Sequence, residues 1–153
     1  MEKLIVGIDP GKKGAISFLS LDASSLELFD MPSLFEFVKL IKERRNKILR
    51  VFIEKQQPFP KQGVVSTSRL MRHYGELLGS LIALEIPLEE VPPRTWQKEF
   101  HYPGKLNKKE RKLFSIQKAL SLFPHADIKK KDGRAEAVLI AEFGRRKFTI
   151  KSE

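Results

Sequence analysis

The sequence predicts one α/β domain over residues 1–153, a mixed five-stranded sheet with three antiparallel and two parallel strands, flanked by helices. Three observations predict it. Apolar runs of strand length occur at residues 4–9, 15–21 and 48–54. From residue 32 onward, helix-spaced stretches alternate with strand-like ones, the pattern of parallel crossovers. A chain of 153 residues can also bury roughly two thirds of its unfolded surface in one core without disulfides, and it has no cysteine.

Leu4 to Asp9 is a continuous apolar run ending in an acid, and Ala15 to Leu21 is apolar again after Pro-Gly-Lys-Lys-Gly, so the two form a buried hairpin. Leu26 to Met31 supplies a third antiparallel strand. Pro32 suits the first turn of a helix to about Arg45, with Leu34, Phe37, Val38 and Ile41 on one face. Ile48 to Glu54 is β-branched and, like the first strand, ends in a carboxylate. Gln56 to Gly63 is a loop. Ser66 to about Leu84 has helical spacing through Leu70, Tyr74, Leu77, Leu78 and Leu81. Ile86 to Val91 is the fifth strand, Pro92-Pro93 ends it, and Arg94 to Phe100 forms a short helical turn. Lys108 to Phe123 is a long helix with Leu113, Ile116, Ala119 and Leu120 inward. Gly133 to about Arg146 is the last helix, with Val138, Leu139, Ala141 and Phe143 as its apolar set and a basic tail beyond.

The balance of 29 Lys+Arg against 19 Asp+Glu gives a formal charge of +10. That is the footprint of a protein that neutralises phosphates. The bases cluster, five in 42–50, five in 105–112, four in 129–134 and three in 145–147, which suits a polyanion the size of DNA. No apolar stretch approaches the roughly 18 residues needed to span a bilayer. The missing cysteines and the absence of a recognisable targeting segment predict a cytoplasmic protein without membrane partners.

Asp9 and Glu54 end strands that otherwise read as buried, although Asp before Pro-Gly is also a common turn residue. Asp132 and Glu136, four apart, share one face at a helix start, where two like charges crowd unless a cation separates them or the helix dipole accommodates them. Four acids at two strand ends and one helix can converge on a point. Oxygen-only ligation suits Mg²⁺ or Mn²⁺, and two such ions would clamp the attacking water and the leaving oxygen at a phosphodiester. Neither a histidine ligand pair nor a Gly-rich phosphate loop nor a Gly-x-Ser-x-Gly elbow is present.

The order of elements is that of the ribonuclease H-like architecture. Gly7-Ile8-Asp9-Pro10-Gly11, Ile53-Glu54, and Lys131-Asp132-Gly133-Arg134-Ala135-Glu136-Ala137 resemble, in order and spacing, the acidic motifs of RuvC-type Holliday-junction resolvases. Gln57-Pro58-Phe59-Pro60, Val91-Pro92-Pro93 before Trp96, and Leu122-Phe123-Pro124 are similar to segments of the plant chloroplast resolvases and their phage or bacterial relatives. In two respects the sequence departs from them: bacterial RuvC spaces its last two acids three apart, and the chloroplast proteins carry histidine where Asp132 stands. The resemblance implies a structure-selective endonuclease that nicks both strands of a four-way junction symmetrically, with Asp9, Glu54, Asp132 and Glu136 binding about two Mg²⁺ or Mn²⁺ ions. It implies a basic residue of the penultimate helix at the scissile phosphate, best fitted by Lys112, with Lys108, Lys109 and Arg111 as competitors. It implies a homodimer, for which the helix bearing Leu77, Leu78 and Leu81 is the candidate interface unless those residues are core. Phe59, Lys61, Arg69, Arg72, Lys108, Lys109, Arg111, Lys130 and Arg134 are the candidate DNA contacts, and Tyr74 is either core or a stacking residue. The competing readings are a related nuclease of RNA, RNA–DNA hybrid or flaps, and a non-catalytic junction-binding protein. An actin-like phosphotransferase, which Gly-Ile-Asp-Pro-Gly alone would allow, needs a second domain that this length excludes.

Overall fold

The structure, a computed structural model, describes residues 2–152. Its strands are β1 (Leu4–Asp9), β2 (Ala15–Ser20), β3 (Leu26–Asp30), β4 (Ile48–Glu54) and β5 (Leu88–Val91). Its helices are α1 (Leu34–Arg44), α2 (Val64–Ala83), α3 (Pro93–Glu99), α4 (Lys108–Leu122) and α5 (Asp132–Ser152). The sheet runs β3-β2-β1-β4-β5, antiparallel from β1 to β3 and parallel from β1 to β5. The predicted mixed five-stranded sheet is therefore the observed one. Among the described residues no helix is long and apolar enough to cross a membrane.

Strand alternation divides the chain into two apolar layers. Leu4, Val6 and Ile8 point into the layer under α1 and α2, with Phe37, Ile41, Tyr74, Leu77 and Leu81. Ile5 points into the opposite layer, with Phe52, Trp96, Ala135, Val138 and Leu139, under α3, α4 and α5. Large side chains such as Phe37, Phe52 and Trp96 are essentially fully buried, each contributing about 1.5–3 kcal/mol. The β1–β4 register shifts between Leu4 and Ile5, which lets Ile48 and Val51, three apart, share one face.

The parity of β1 places Gly7 and Asp9 on the same face as Ile5, and that of β4 places Glu54 with Phe52. This is the face α5 covers. A Cβ on Gly7 would stand 2.3 Å from the Ala137 carbonyl oxygen and 2.4 Å from the Ala141 nitrogen, so only glycine lets the helix lie this close to the central strand. Beside it, Ser17 Oγ donates to the Ala137 carbonyl at 2.7 Å, tying β2 to the same turn of α5.

Several sequence expectations shift. Leu77 and Leu81 are core and Leu78 packs against it, so these residues are not the free surface of a dimer interface. Tyr74 is core too, its hydroxyl donating to Glu90 at 2.5 Å. On α4 Ile116 and Ala119 face inward as expected, but Ser115 joins them while Leu113 and Leu120 are exposed, because the small residues allow close packing on α5. Leu34, in the first turn of α1, is also exposed. Helix α1 starts after Ser33, whose side chain caps Glu36 N–H, rather than at Pro32. The basic tail expected beyond Arg146 is not a tail: α5 continues through it and Lys147 binds Glu89, while Arg145 and Arg146, within the helix as expected, bind the buried Glu142.

Candidate active site

Strands β1 and β4 are neighbours, Ile8 lies beside Ile53, and each strand ends at the next residue. Asp9 and Glu54 therefore end adjacent parallel strands on the face toward α5. Helix α5 begins at Asp132 against the β1–β2 turn, so tightly that a Cβ on Gly133 would meet the Lys13 carbonyl oxygen at 2.2 Å. One turn later Glu136 follows on the same face. The four sequence-predicted acids thus meet at one corner of the sheet.

Their electrostatics register the convergence. Burial raises the Asp9 carboxyl well above the usual carboxylate range, and the charges of Glu136, Glu54 and Asp132 raise it further. Glu136 is pushed up to about 8, by burial first and then by Glu54 and Asp132, with Arg111 opposing. Glu54 is also raised by burial, against the pull of hydrogen bonds from Trp96 and Gln56 and the charge of Arg111. Trp96 Nε1 donates to Glu54 Oε2 at 2.8 Å and Gln56 Nε2 to Oε1 at 3.2 Å, so both oxygens are held.

Burial raises three carboxylates, Asp9, Glu54 and Glu136, mutual repulsion adds to the rise at Asp9 and Glu136, and the opposing charge of Arg111 on Glu54 and Glu136 does not cancel it. Among the described residues no three His, Cys, Asp or Glu side chains already form a ligand set. The donors are nevertheless all carboxylate oxygens, the chemistry a hard divalent cation takes, and such a cation would relieve their mutual repulsion. The residues fit that kind of ion.

The basic candidates separate. Lys112 lines a cavity of about 290 Å³ with Lys12, Lys13, Asp30, Lys131 and Asp132, on one side of the acids. Its neighbour Arg111 acts on Glu54 and Glu136 and lines a different cleft, on α3. Lys108 and Lys109 are exposed at the start of α4. Arg69 lines a cavity of about 480 Å³ with Lys12 and His73. Phe59 and Lys61 are exposed on the loop after Glu54, Lys130 is exposed just before α5, and exposed Arg72 pairs with Glu76 at 3.8 Å.

Arg134 departs from expectation. Its side chain is 9% exposed, with Nε 2.7 Å from Asp30 and Nη1 donating to the Asp127 carbonyl at 2.8 Å. It fastens the start of α5 to the end of β3 instead of presenting a cation to solvent. Trp96 and Gln56, which hold Glu54, and Tyr102, which packs on Trp96, are site residues that the sequence alone does not single out as such. The one sequence feature pointing to Trp96 is its place just after Val91-Pro92-Pro93.

No family model and no curated protein sequence matches the chain. Solved structures do. Thermus thermophilus RuvC in complex with a Holliday junction substrate is similar with a TM-score of 0.57 at 13% identity, over 96% of this chain and 97% of that one. A yeast mitochondrial Holliday junction resolvase gives 0.55 at 18% identity, over 98% and 82% of the two chains. The fowlpox virus resolvase, solved with Holliday junction DNA, gives 0.50 at 15%, over 97% of each. The sheet order and helix placement of this chain are those of the ribonuclease H-like resolvase fold.

Proposed function

We propose that the protein is a structure-selective DNA endonuclease that resolves four-way junctions by paired symmetric nicks. The observation that carries this reading is the meeting of Asp9, Glu54, Asp132 and Glu136 at one corner, where the Asp9 and Glu136 carboxyls are raised by burial and further by the charge of the others. The net basic charge and the fold shared with junction-bound resolvases support DNA as the substrate. The likeness of the Gln57–Gly63 and Val91–Trp96 segments to chloroplast-type resolvases and their phage and bacterial relatives belongs to the same reading.

Asp9, Glu54, Asp132 and Glu136 would hold two Mg²⁺ or Mn²⁺ ions, which when bound supply charge stabilisation for the attacking and leaving oxygens of an in-line displacement. Trp96 and Gln56 fix the rotamer of Glu54, so little ordering remains for substrate to drive. Lys112, which shares the cavity beside Asp132 with Lys12, Lys13 and Lys131, is the cation assigned to the scissile phosphate, and Arg111 balances Glu54 and Glu136. Cutting both strands of a symmetric junction needs two such sites related by a two-fold axis, hence a homodimer.

The test is incubation with a labelled four-way junction, a matched linear duplex and an RNA–DNA hybrid, with and without Mg²⁺. Paired symmetric nicks in the junction alone, only with metal, are expected. Cutting confined to the hybrid would move the activity to RNA, and junction binding without cutting would make the protein an architectural one.

A further inference from the structure

A second cleft, of about 770 Å³, lies between α3 and the start of α4, lined by Arg94, Lys98, His101, Tyr102 and Arg111 among others. Among the described residues no carboxylate lines it. Among those residues, too, Arg94, Lys98 and His101 have no ion-pair partner, while Arg111 donates to the Leu106 carbonyl at 3.4 Å and its charge acts on Glu54 and Glu136. Elsewhere the chain supplies acids to its arginines, as in Arg44–Glu27, Arg50–Glu89, Arg134–Asp30 and Arg146–Glu99. Arg94 and Lys98, left without acids beside one concavity, repel each other and Arg111, and a bound anion removes that cost.

The cleft is built rather than incidental. His101 takes a left-handed backbone, φ 58°, that ends α3 and turns the chain back, with its N–H on the Lys98 carbonyl at 3.1 Å. The Tyr102 ring then lodges between Trp96, edge-on at 5.6 Å, and Phe114, at 4.5 Å, with its hydroxyl 2.6 Å from Ser115 Oγ. Trp96 is the residue that holds Glu54, and Arg111 acts on both Glu54 and Glu136. The cleft and the acidic corner thus share a wall. The cavity beside Lys112 and Asp132 is on the other side of the acids and is less than half the volume, about 290 Å³ against 770 Å³.

We propose that the α3–α4 cleft holds the sugar–phosphate backbone of the cut strand one or two nucleotides to one side of the scissile phosphate, with Arg94, Lys98 and His101 on its phosphates. The proposal rests on the nuclease reading and adds to it a strand subsite and a polarity. Neither Arg94 nor Lys98 belongs to a basic run of the sequence; the turn at His101 brings them together with Arg111.

The test uses Arg94→Ala/Lys98→Ala, with Lys39→Ala/Lys42→Ala on the exposed side of α1 as a charge-matched control. Affinity for a four-way junction is measured without divalent metal from 50 to 200 mM salt, using junctions with a single neutral methylphosphonate placed at successive positions around the nick. The cleft variant should bind about tenfold or more weakly, with a log K against log salt slope shallower by about 1–2, roughly 0.9 for each phosphate left without its cation. A neutral linkage on one side of the nick should weaken the wild type and leave the variant unchanged. Equal affinity and slope for the two double variants, or a linkage effect undiminished in the cleft variant, would overturn the subsite. Wild-type binding without nicking in Mg²⁺ would overturn the nuclease reading separately, since the subsite is scored by binding alone.

Discussion

The indole N–H of Trp96 donates to Glu54 Oε2 at 2.8 Å, across 42 residues of sequence, and so joins the end of β4 to helix α3. The bond favours the ionised carboxylate, opposing the burial that raises it. Replacing Trp96 with Phe keeps most of the buried ring and removes the donor. Stability should fall by about 1–3 kcal/mol. Glu54 should titrate at higher pH, moving the acid limb of the nicking profile upward. Thermal melts and a pH–rate profile check both, and a lowered melting temperature with an unmoved profile would make Trp96 merely structural.

The raised acids predict how the metal-free protein responds to pH. Glu136 is held up to about 8 in the folded state, against about 4.5 when free. Its contribution is therefore fully present below pH 4.5 and is lost as pH rises through 8, because the unfolded state gives up that proton more readily. The melting temperature in EDTA should drop between pH 5 and 8.5, by the equivalent of a few kcal/mol at most. Glu136→Gln should flatten that drop and be the more stable protein at pH 8. Added Mg²⁺ should stabilise the wild type more at pH 8 than at pH 5.

Gly7→Ala should be among the costliest single-methyl changes in the chain. The new Cβ would meet backbone atoms of Ala137 and Ala141 at 2.3 and 2.4 Å, and helix backbone cannot rotate aside as a side chain can. A loss of about 2–3 kcal/mol in urea unfolding is expected. Because α5 carries Asp132 and Glu136, its displacement should also weaken Mg²⁺ stabilisation of whatever remains folded.

Arg134→Ala separates two roles the sequence leaves together. With the guanidinium enclosed by Asp30 and Asp127, the variant should lose about 1–3 kcal/mol of stability. Its junction affinity, measured where it is fully folded, should stay within about twofold of wild type. A large affinity loss at unchanged stability would return Arg134 to the DNA surface.

The strands, the helices and the acids were legible because each depends on local pattern: a continuous apolar run of strand length, a helical spacing, an acid at a strand end. Asp9 and Glu54 could be read this way since β1 and β4 are buried up to the carboxylate itself. What holds Glu54 was not legible, because Trp96 and Gln56 differ from ordinary core and loop residues only through the fold. Arg134 misled for the same reason, its partner Asp30 lying 104 residues away. On α4, the spacing read Ile116 and Ala119 correctly as inward, but hydropathy also favoured Leu113 and Leu120, where close packing on α5 selected the small Ser115. The runs of bases overstated the free cationic surface, since Arg44, Arg145, Arg146 and Lys147 are matched to acids brought in by tertiary structure.

The central claim is that the corner built on Asp9 is a metal-dependent cutting site. It is tested most directly by comparing the wild type with Asp9→Asn on a labelled four-way junction in Mg²⁺, scoring nicks and bound complex in the same samples. Paired nicks by the wild type, none by Asp9→Asn, and junction binding by the variant as tight or tighter are predicted, because the cationic surface stays and one repulsive charge goes. Full nicking by Asp9→Asn would contradict the account.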